Sequence, residues 1–370
     1  MYCVKKVLRV LDNEIYKVFN VLEIYKTSTT TVSRRELLPM TNLIQENQPL
    51  LILGSLILLV MVVLWVLQYG LIRYGKKILN HALRYWTAIK QYCSQSKRLI
   101  RLRNNYPKLY HVLSQRLHIQ HFYGLPLTLL VLVMGYILFL FLGLVEDVVT
   151  SDTIVAMDHF VSQQMSMLSE SPLVTFFILI TSFASTATTC LVVFLTCILC
   201  WVIRQRYILI GLLVATLGST IFTFLSKLLF QRDRPVHILL FEQTDSFPSG
   251  HATITVALYG FLAYTAIRFS RNFSQQVRIV VMTVFFSILV GLSRIVLNEH
   301  YLSDVLGGYL VGTLWLTVAI SVTEWLRASD RIDWQAEWSV AHLRLVWLSV
   351  VCVIIGSFIY ALFYQFPLLV

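Results

Sequence analysis

The chain has 370 residues, of which 57% are hydrophobic and only 13% charged, with a formal net charge of +11. A soluble domain carries about 25% charged residues, and the apolar residues here gather into long blocks, so the composition excludes an ordinary soluble globular protein. The basic balance does not point to nucleic acid, because basic residues accumulate in the cytoplasmic loops of membrane proteins.

Residues 1–48 are polar and mixed in charge, with a Ser/Thr run from Thr27 to Ser33 that reads as a linker. The opening MYCVKKVLRVLDNEIYKVF has no clean apolar run and no small-residue cleavage site, so no signal peptide is expected in it. A membrane span needs roughly 20 apolar residues. By that measure eight helices are predicted, over 49–70, 124–146, 176–203, 207–229, 251–269, 276–296, 303–326 and 343–366. Between the first two lies a basic stretch, Arg73 to Arg116, without a single Asp or Glu. Its Leu99, Leu102, Leu109 and Leu113 recur at helical spacing, which predicts one or two amphipathic helices along the membrane surface.

The predicted fold class is all-α: a polytopic membrane bundle with a six-helix core over 124–326. A span and basic connector precede it at 49–123, and a cytoplasmic loop and final span follow it at 327–370. Cys190, Cys197, Cys200 and Cys352 lie in apolar blocks at spacings that suit neither a disulfide framework nor a zinc site.

Loop charges set the orientation. Arg73–Arg116, Arg204 with Arg206, Arg268 to Arg278 and Arg327 to Arg344 mark inner loops. The 146–172 loop carries Glu146, Asp147, Asp152, Asp158 and Glu170 with no Lys or Arg, which places it outside. Alternation then puts 230–250, 294–302 and the C-terminus outside as well.

Those two internal outer segments hold nearly all the unusual polar residues of the core. They are Lys227 in KLLFQRDRP with Arg232 and Arg234, then SFPSGHA with Ser249, Gly250 and His251, then SRIVLNEHYLSD with Ser293, Arg294, His300 and Asp304. Lys227 and Arg234 are two turns apart and share a face if the helix continues. Lys227, Arg234 and Arg294 together suit a phosphate dianion and the charge of a phosphoryl-transfer transition state. Ser249 is expected to cap a helix, with Gly250 allowing close approach to its N–H groups. His300 and Asp304 stand at i and i+4, expected neighbours on one helix face. The carboxylate then holds one ring nitrogen and leaves the other to attack phosphorus, while His251 protonates the leaving alkoxide. His81, His111, His118, His121, His159 and His342 fit no such constellation, and His237 is a bystander or a substrate contact.

A lone cation at a helix end is most often a snorkelling residue, and a lone Ser–Gly pair a cap. That reading does not explain why all these groups converge on one membrane face, where ionisable residues are functional by default.

Together the residues resemble the type 2 phosphatidic-acid phosphatase superfamily. Its three-part signature, K-x6-RP, PSGH and SR-x5-H-x3-D, reads here as Lys227 to Arg234–Pro235, Pro248 to His251, and Ser293–Arg294 to His300 to Asp304. The resemblance covers about 124–326 and departs from many members at Leu302, where they carry Pro. It implies a membrane phosphatase hydrolysing a lipid phosphate monoester or diphosphate, undecaprenyl diphosphate among the candidates. His300 is then the nucleophile, Asp304 its orienting carboxylate and His251 the general acid and base. Lys227, Arg234, Ser249, Gly250 and Arg294 form the phosphate cradle, with no metal and no cofactor. Residues 49–123 are similar to the connector in bacterial fusions of a DedA-type domain with such a phosphatase.

The expected partners are a lipid phosphate substrate and surrounding membrane lipids, with no nucleic acid, and the expected location is a bacterial inner (plasma) membrane, where the loop charges turn the site to the periplasm or exterior. It leaves the oligomeric state open. The first half-reaction is shared by a lipid phosphotransferase, which passes the phosphoryl group to another acceptor. Vanadium-dependent haloperoxidases look similar at the motif but are soluble enzymes. A lipid-binding protein with a dead site is disfavoured by the intact nucleophile, acid and cradle.

Overall fold

The computed structural model describes residues 48–96, 101, 103–116, 122–169, 173–236, 238–240, 244–334 and 339–363. The expected N-terminal linker and His237 lie outside these residues. The chain divides into two units, Met1–Ser55 and Leu56–Val370. Within the first, the described residues are the opening turns of helix α1.

Among the described residues the fold is helical throughout, without strands. Seven helices are long and apolar enough to cross a membrane, and a bent pair makes an eighth. They come in this order: α1 Gln48–Gln95, α2 Pro107–Arg116, α3 Leu125–Thr150, α4 Asp152–Ser166, α5 Leu173–Ser182, α6 Thr186–Val202, α7 Ile208–Phe230, α8 Gly250–Phe269, α9 Phe273–Val296, α10 Leu302–Ala328 and α11 Val340–Phe363.

Three elements differ from the predicted ones. The first span does not stop at 70. With no proline from 51 to 95 to break it, α1 runs on through Arg73, Lys76, Lys77 and Arg84. Its 48 residues extend about 70 Å at 1.5 Å per residue, well beyond the roughly 30 Å hydrocarbon core. The predicted 176–203 helix is two helices bent by 41°. Ser185 caps the second, accepting from Thr188 N at 3.3 Å, and the Tyr259 hydroxyl donates to the freed Phe183 carbonyl at 2.6 Å. Tyr259 closes a π-helical segment, Thr255–Tyr259, inside α8. Finally, the acidic segment predicted as a loop holds helix: α3 runs on to Thr150, and α4 covers Asp152–Ser166.

Helix α10 is the axis of the bundle. It packs along α7, α3, α8, α9 and α4, while α11 covers α5 and α6. Its closest approach is to α8. A Cβ at Gly308 would lie 2.6 Å from the Ser249 carbonyl, and one at Gly312 would lie 2.6 Å from the Thr253 carbonyl. Only glycine lets the two backbones come this near. That approach brings the start of α8 against the start of α10, where Ser249 N donates to the Asp304 carbonyl at 3.0 Å. An apolar core including Leu212, Leu258, Phe261, Val290 and Ala319 fills the middle of the bundle.

Candidate active site

The candidate site lies at one end of the bundle, where the described residues 231–236 and 244–249 between α7 and α8 meet 297–301 between α9 and α10, and helix α4. Two local expectations about it are corrected. Lys227 and Arg234 do not share a helix face, because α7 ends at Phe230 and Gln231 adopts a left-handed backbone (φ 44°). The residue before a proline disfavours helix, so Arg234–Pro235 belongs to the loop. His300 and Asp304 are not an i, i+4 pair on a helix either. His300 lies in the turn before α10, whose N-cap is Tyr301, and Asp304 is in the first turn.

Tertiary contacts nevertheless unite each pair. Lys227 Nζ donates to Thr244 Oγ1 at 3.1 Å and to the Asp245 carbonyl. Arg234 donates from Nε to the Thr244 carbonyl at 2.6 Å and from a terminal nitrogen to Thr244 Oγ1 at 3.1 Å. Arg234 and Arg294 meet across Glu299, whose Oε2 is 3.3 Å from the first and 3.7 Å from the second. The other Glu299 oxygen accepts from Leu240 N at 2.5 Å. Arg294, fully buried on α9, also donates to Thr181 Oγ1 on α5 at 3.1 Å.

Asp304 folds back over its own helix start, accepting from Tyr301 N at 2.8 Å. Its Oδ2 takes the Ser246 hydroxyl and lies 3.6 Å from His300 Nδ1. Nε2 is thus the ring nitrogen turned away from the carboxylate. Burial drives the His300 pKa down, and Arg234 and Arg294 push the same way. Against the opposing pull of Asp304 it falls to about 4. The imidazole is therefore the free base at neutral pH, the form a nucleophile needs.

Ser249 occupies the N-cap position of α8 as expected, but its hydroxyl makes no cap bond. The Oγ is fully buried and has no hydrogen-bond partner among the described residues. A buried orphan hydroxyl at the mouth of a helix suits a bound anion. Gly250 follows, where a Cβ would have only Thr223 near it, at 4.0 Å. His251 occupies the next position in the same turn.

Sequence reasoning missed the residues that hold these groups in place. Arg232, noted only as a neighbour of Arg234, bonds Asp304 Oδ1 at 2.5 Å and Asp158 Oδ2 at 2.7 Å. Burial works against its charge, but Asp304 and Asp158 more than offset that and hold it above the usual arginine pKa. His159, which fitted no constellation, stacks edge-on against Tyr301 at 5.4 Å. The only signals available were weak: an acidic residue in an otherwise amphipathic stretch for Asp158, and a second arginine in QRDRP.

The spanning helices define a polytopic membrane protein, and at one end of its bundle Arg234 and Arg294 flank the buried His300 imidazole. Residues 208–328 match the PAP2 superfamily, the type 2 phosphatidic-acid phosphatase superfamily. Phosphatidylglycerophosphatase B of Bacillus subtilis is 35% identical over 77 residues, which are 20% of this chain and 38% of that protein. The chain thus spans well under half the length of that curated relative. A solved structure, the transmembrane PAP2-type phosphatidylglycerolphosphate phosphatase from Bacillus subtilis, aligns with a TM-score of 0.48 at 22% identity. That alignment covers 52% of this chain and 96% of the other.

Proposed function

We propose that this protein is a membrane lipid phosphatase working through a phosphohistidine at His300. The observation that carries the reading is the convergence of Lys227, Arg234 and Arg294 with the unsatisfied Ser249 hydroxyl beside a neutral, buried imidazole. In the first step His300 Nε2 attacks phosphorus. The bond to the lipid oxygen breaks, and His251 gives that oxygen its proton. In the second step His251 takes a proton from water, and the hydroxide displaces His300 to release inorganic phosphate. The cations and the start of α8 stabilise the charge that builds on the equatorial oxygens.

Phosphatidylglycerol phosphate heads the substrate candidates, because a relative's name carries that activity, followed by phosphatidic acid, undecaprenyl diphosphate and lipid A phosphates. Phosphate release from this panel by the purified protein in detergent tests the reading. Acid-labile phosphate trapped on His300 supports it, and full turnover by His300→Ala removes it. We further propose that the site faces the periplasm or exterior. In a chain stripped of native cysteines, an impermeant thiol reagent added to intact cells should label Gln163→Cys on α4. It should spare Ser329→Cys beyond α10, and the reverse pattern inverts the topology.

A further inference from the structure

Helix α4 lies outside the 208–328 segment, yet it places a carboxylate inside the site. Asp158 is buried and takes Arg232 on Oδ2 at 2.7 Å, Ser303 N on Oδ1 at 3.1 Å, and the Ser303 hydroxyl. Arg232 turns its other terminal nitrogen to Asp304 Oδ1 at 2.5 Å and to Ser303 Oγ at 2.7 Å. Its guanidinium lies 4.5 Å from the centre of the Tyr301 ring. Both terminal nitrogens and one face are committed to the protein. Four residues along α4, Ser162 donates to Asn298 Oδ1 at 2.8 Å. Helix α4 therefore grips the chain on both sides of His300, at Asn298 before it and at Ser303 after it.

We propose that Arg232 and Asp158 are positioning residues that fix the Asp304 carboxylate for His300, which makes α4 part of the catalytic machinery. The proposal rests on the phosphohistidine reading above. Asp304 has two oxygens with separate duties. Oδ2 faces His300, Ser246 and Tyr301 N, and Oδ1 is held by Arg232. Without Arg232, Oδ1 is left buried and unpaired, so the carboxylate turns to find a donor or takes up a proton. Either change loosens its hold on the imidazole. Without Asp158, nothing anchors the far side of the guanidinium. Lysine supplies the charge but not the planar fork that spans two carboxylates.

The test is a kinetic double-mutant cycle on the full chain in detergent with a lipid phosphate substrate. Asp158→Asn should lower kcat roughly 10-fold and Arg232→Gln about 10- to 100-fold, the scale of a misplaced catalytic group. The double variant should be no worse than Arg232→Gln, because the two act as one unit. KM and inhibition by orthovanadate should change less than about twofold, since neither residue touches phosphate, and Arg232→Lys should recover little. If Arg232→Gln fails to fold, the isosteric Asp158→Asn carries the test.

Unchanged kcat in Asp158→Asn and Arg232→Lys overturns the brace. So does a rise in KM and in the vanadate inhibition constant that matches the loss, which makes Arg232 a phosphate ligand. Wild-type turnover that does not depend on His300 overturns the functional reading itself, and the catalytic role of the brace with it. The two failures are told apart by comparing wild type with His300→Ala.

Discussion

The two ends of the bundle use the same residue types for opposite purposes. At the end away from the site, arginines sit over aromatic rings and stay partly exposed. Arg268 lies over Trp334, Arg331 donates to the Tyr207 hydroxyl, and Arg327 pairs with Glu324 while 49% exposed. Such pairs contribute about 0–1 kcal/mol each. At the site end Arg294 is 1% exposed, and Glu299 and Asp304 are completely buried. Charges taken out of water are tolerated only where partners compensate them closely. The first end shows cations anchoring a helix bundle at an interface. The second shows Arg234 and Arg294 held on either side of the buried Glu299, and Arg232 held between Asp158 and Asp304.

The contrast breaks most sharply in catalysis. His300→Ala should abolish lipid phosphate hydrolysis, a loss of at least about 10³-fold, and Asp304→Asn should leave weak turnover. The double variant should be little worse than His300→Ala alone. Arg331→Ala at the far end should leave the rate within about twofold, and a large loss there would erase the distinction between the ends.

Stability comes next. Glu299→Ala removes a buried carboxylate from between Arg234 and Arg294 and should cost about 3–5 kcal/mol, against less than about 1 kcal/mol for Arg327→Ala. Thermal unfolding in detergent measures both, and equal losses would show that burial at the site end is not what matters. A smaller contrast concerns packing. Gly308→Ala drives a Cβ into the Ser249 backbone and should cost about 1–3 kcal/mol, whereas Gly143→Ala on α3 meets nothing within 4 Å and should cost none.

The pH response follows from His300. Its pKa is about 4 in the folded chain against an ordinary 6.5, so the unfolded chain binds the proton more readily. Folded stability from this group is intact above pH 6.5 and is lost as pH falls towards 4, by up to roughly 3 kcal/mol. His300→Gln should flatten that part of the profile of unfolding temperature against pH, and an unaltered slope would reject the burial of a neutral imidazole. The smallest expected effect is none at all: excess chelator should leave turnover unchanged, because three fixed cations neutralise the phosphate. Loss of activity in EDTA restored by magnesium would break that expectation.

Much of this was legible beforehand. The apolar blocks gave the spans, and the spacing of three motifs gave the groups that converge, because a span of about 20 apolar residues and a charge stranded near a membrane are both local facts. Local rules failed where the chain turns. Spacing alone puts Lys227 and Arg234 on one helix face, whereas they meet through Thr244 after the helix has ended. Spacing alone makes His300 and Asp304 helix neighbours, whereas they meet because Asp304 caps the start of α10. The basic stretch after the first span looks separate by hydropathy, but its first part, up to Gln95, continues α1.

The sequence by itself determined an all-helical membrane protein with a cationic site around His300, since hydropathy and motif spacing require no knowledge of distant contacts. Only the tertiary structure decided how that site is held. Asp158 and Arg232 are 74 residues apart in the chain and 2.7 Å apart in space. A buried carboxylate acquires its role from the partners that folding brings to it, and no periodicity in the chain records which partners those are.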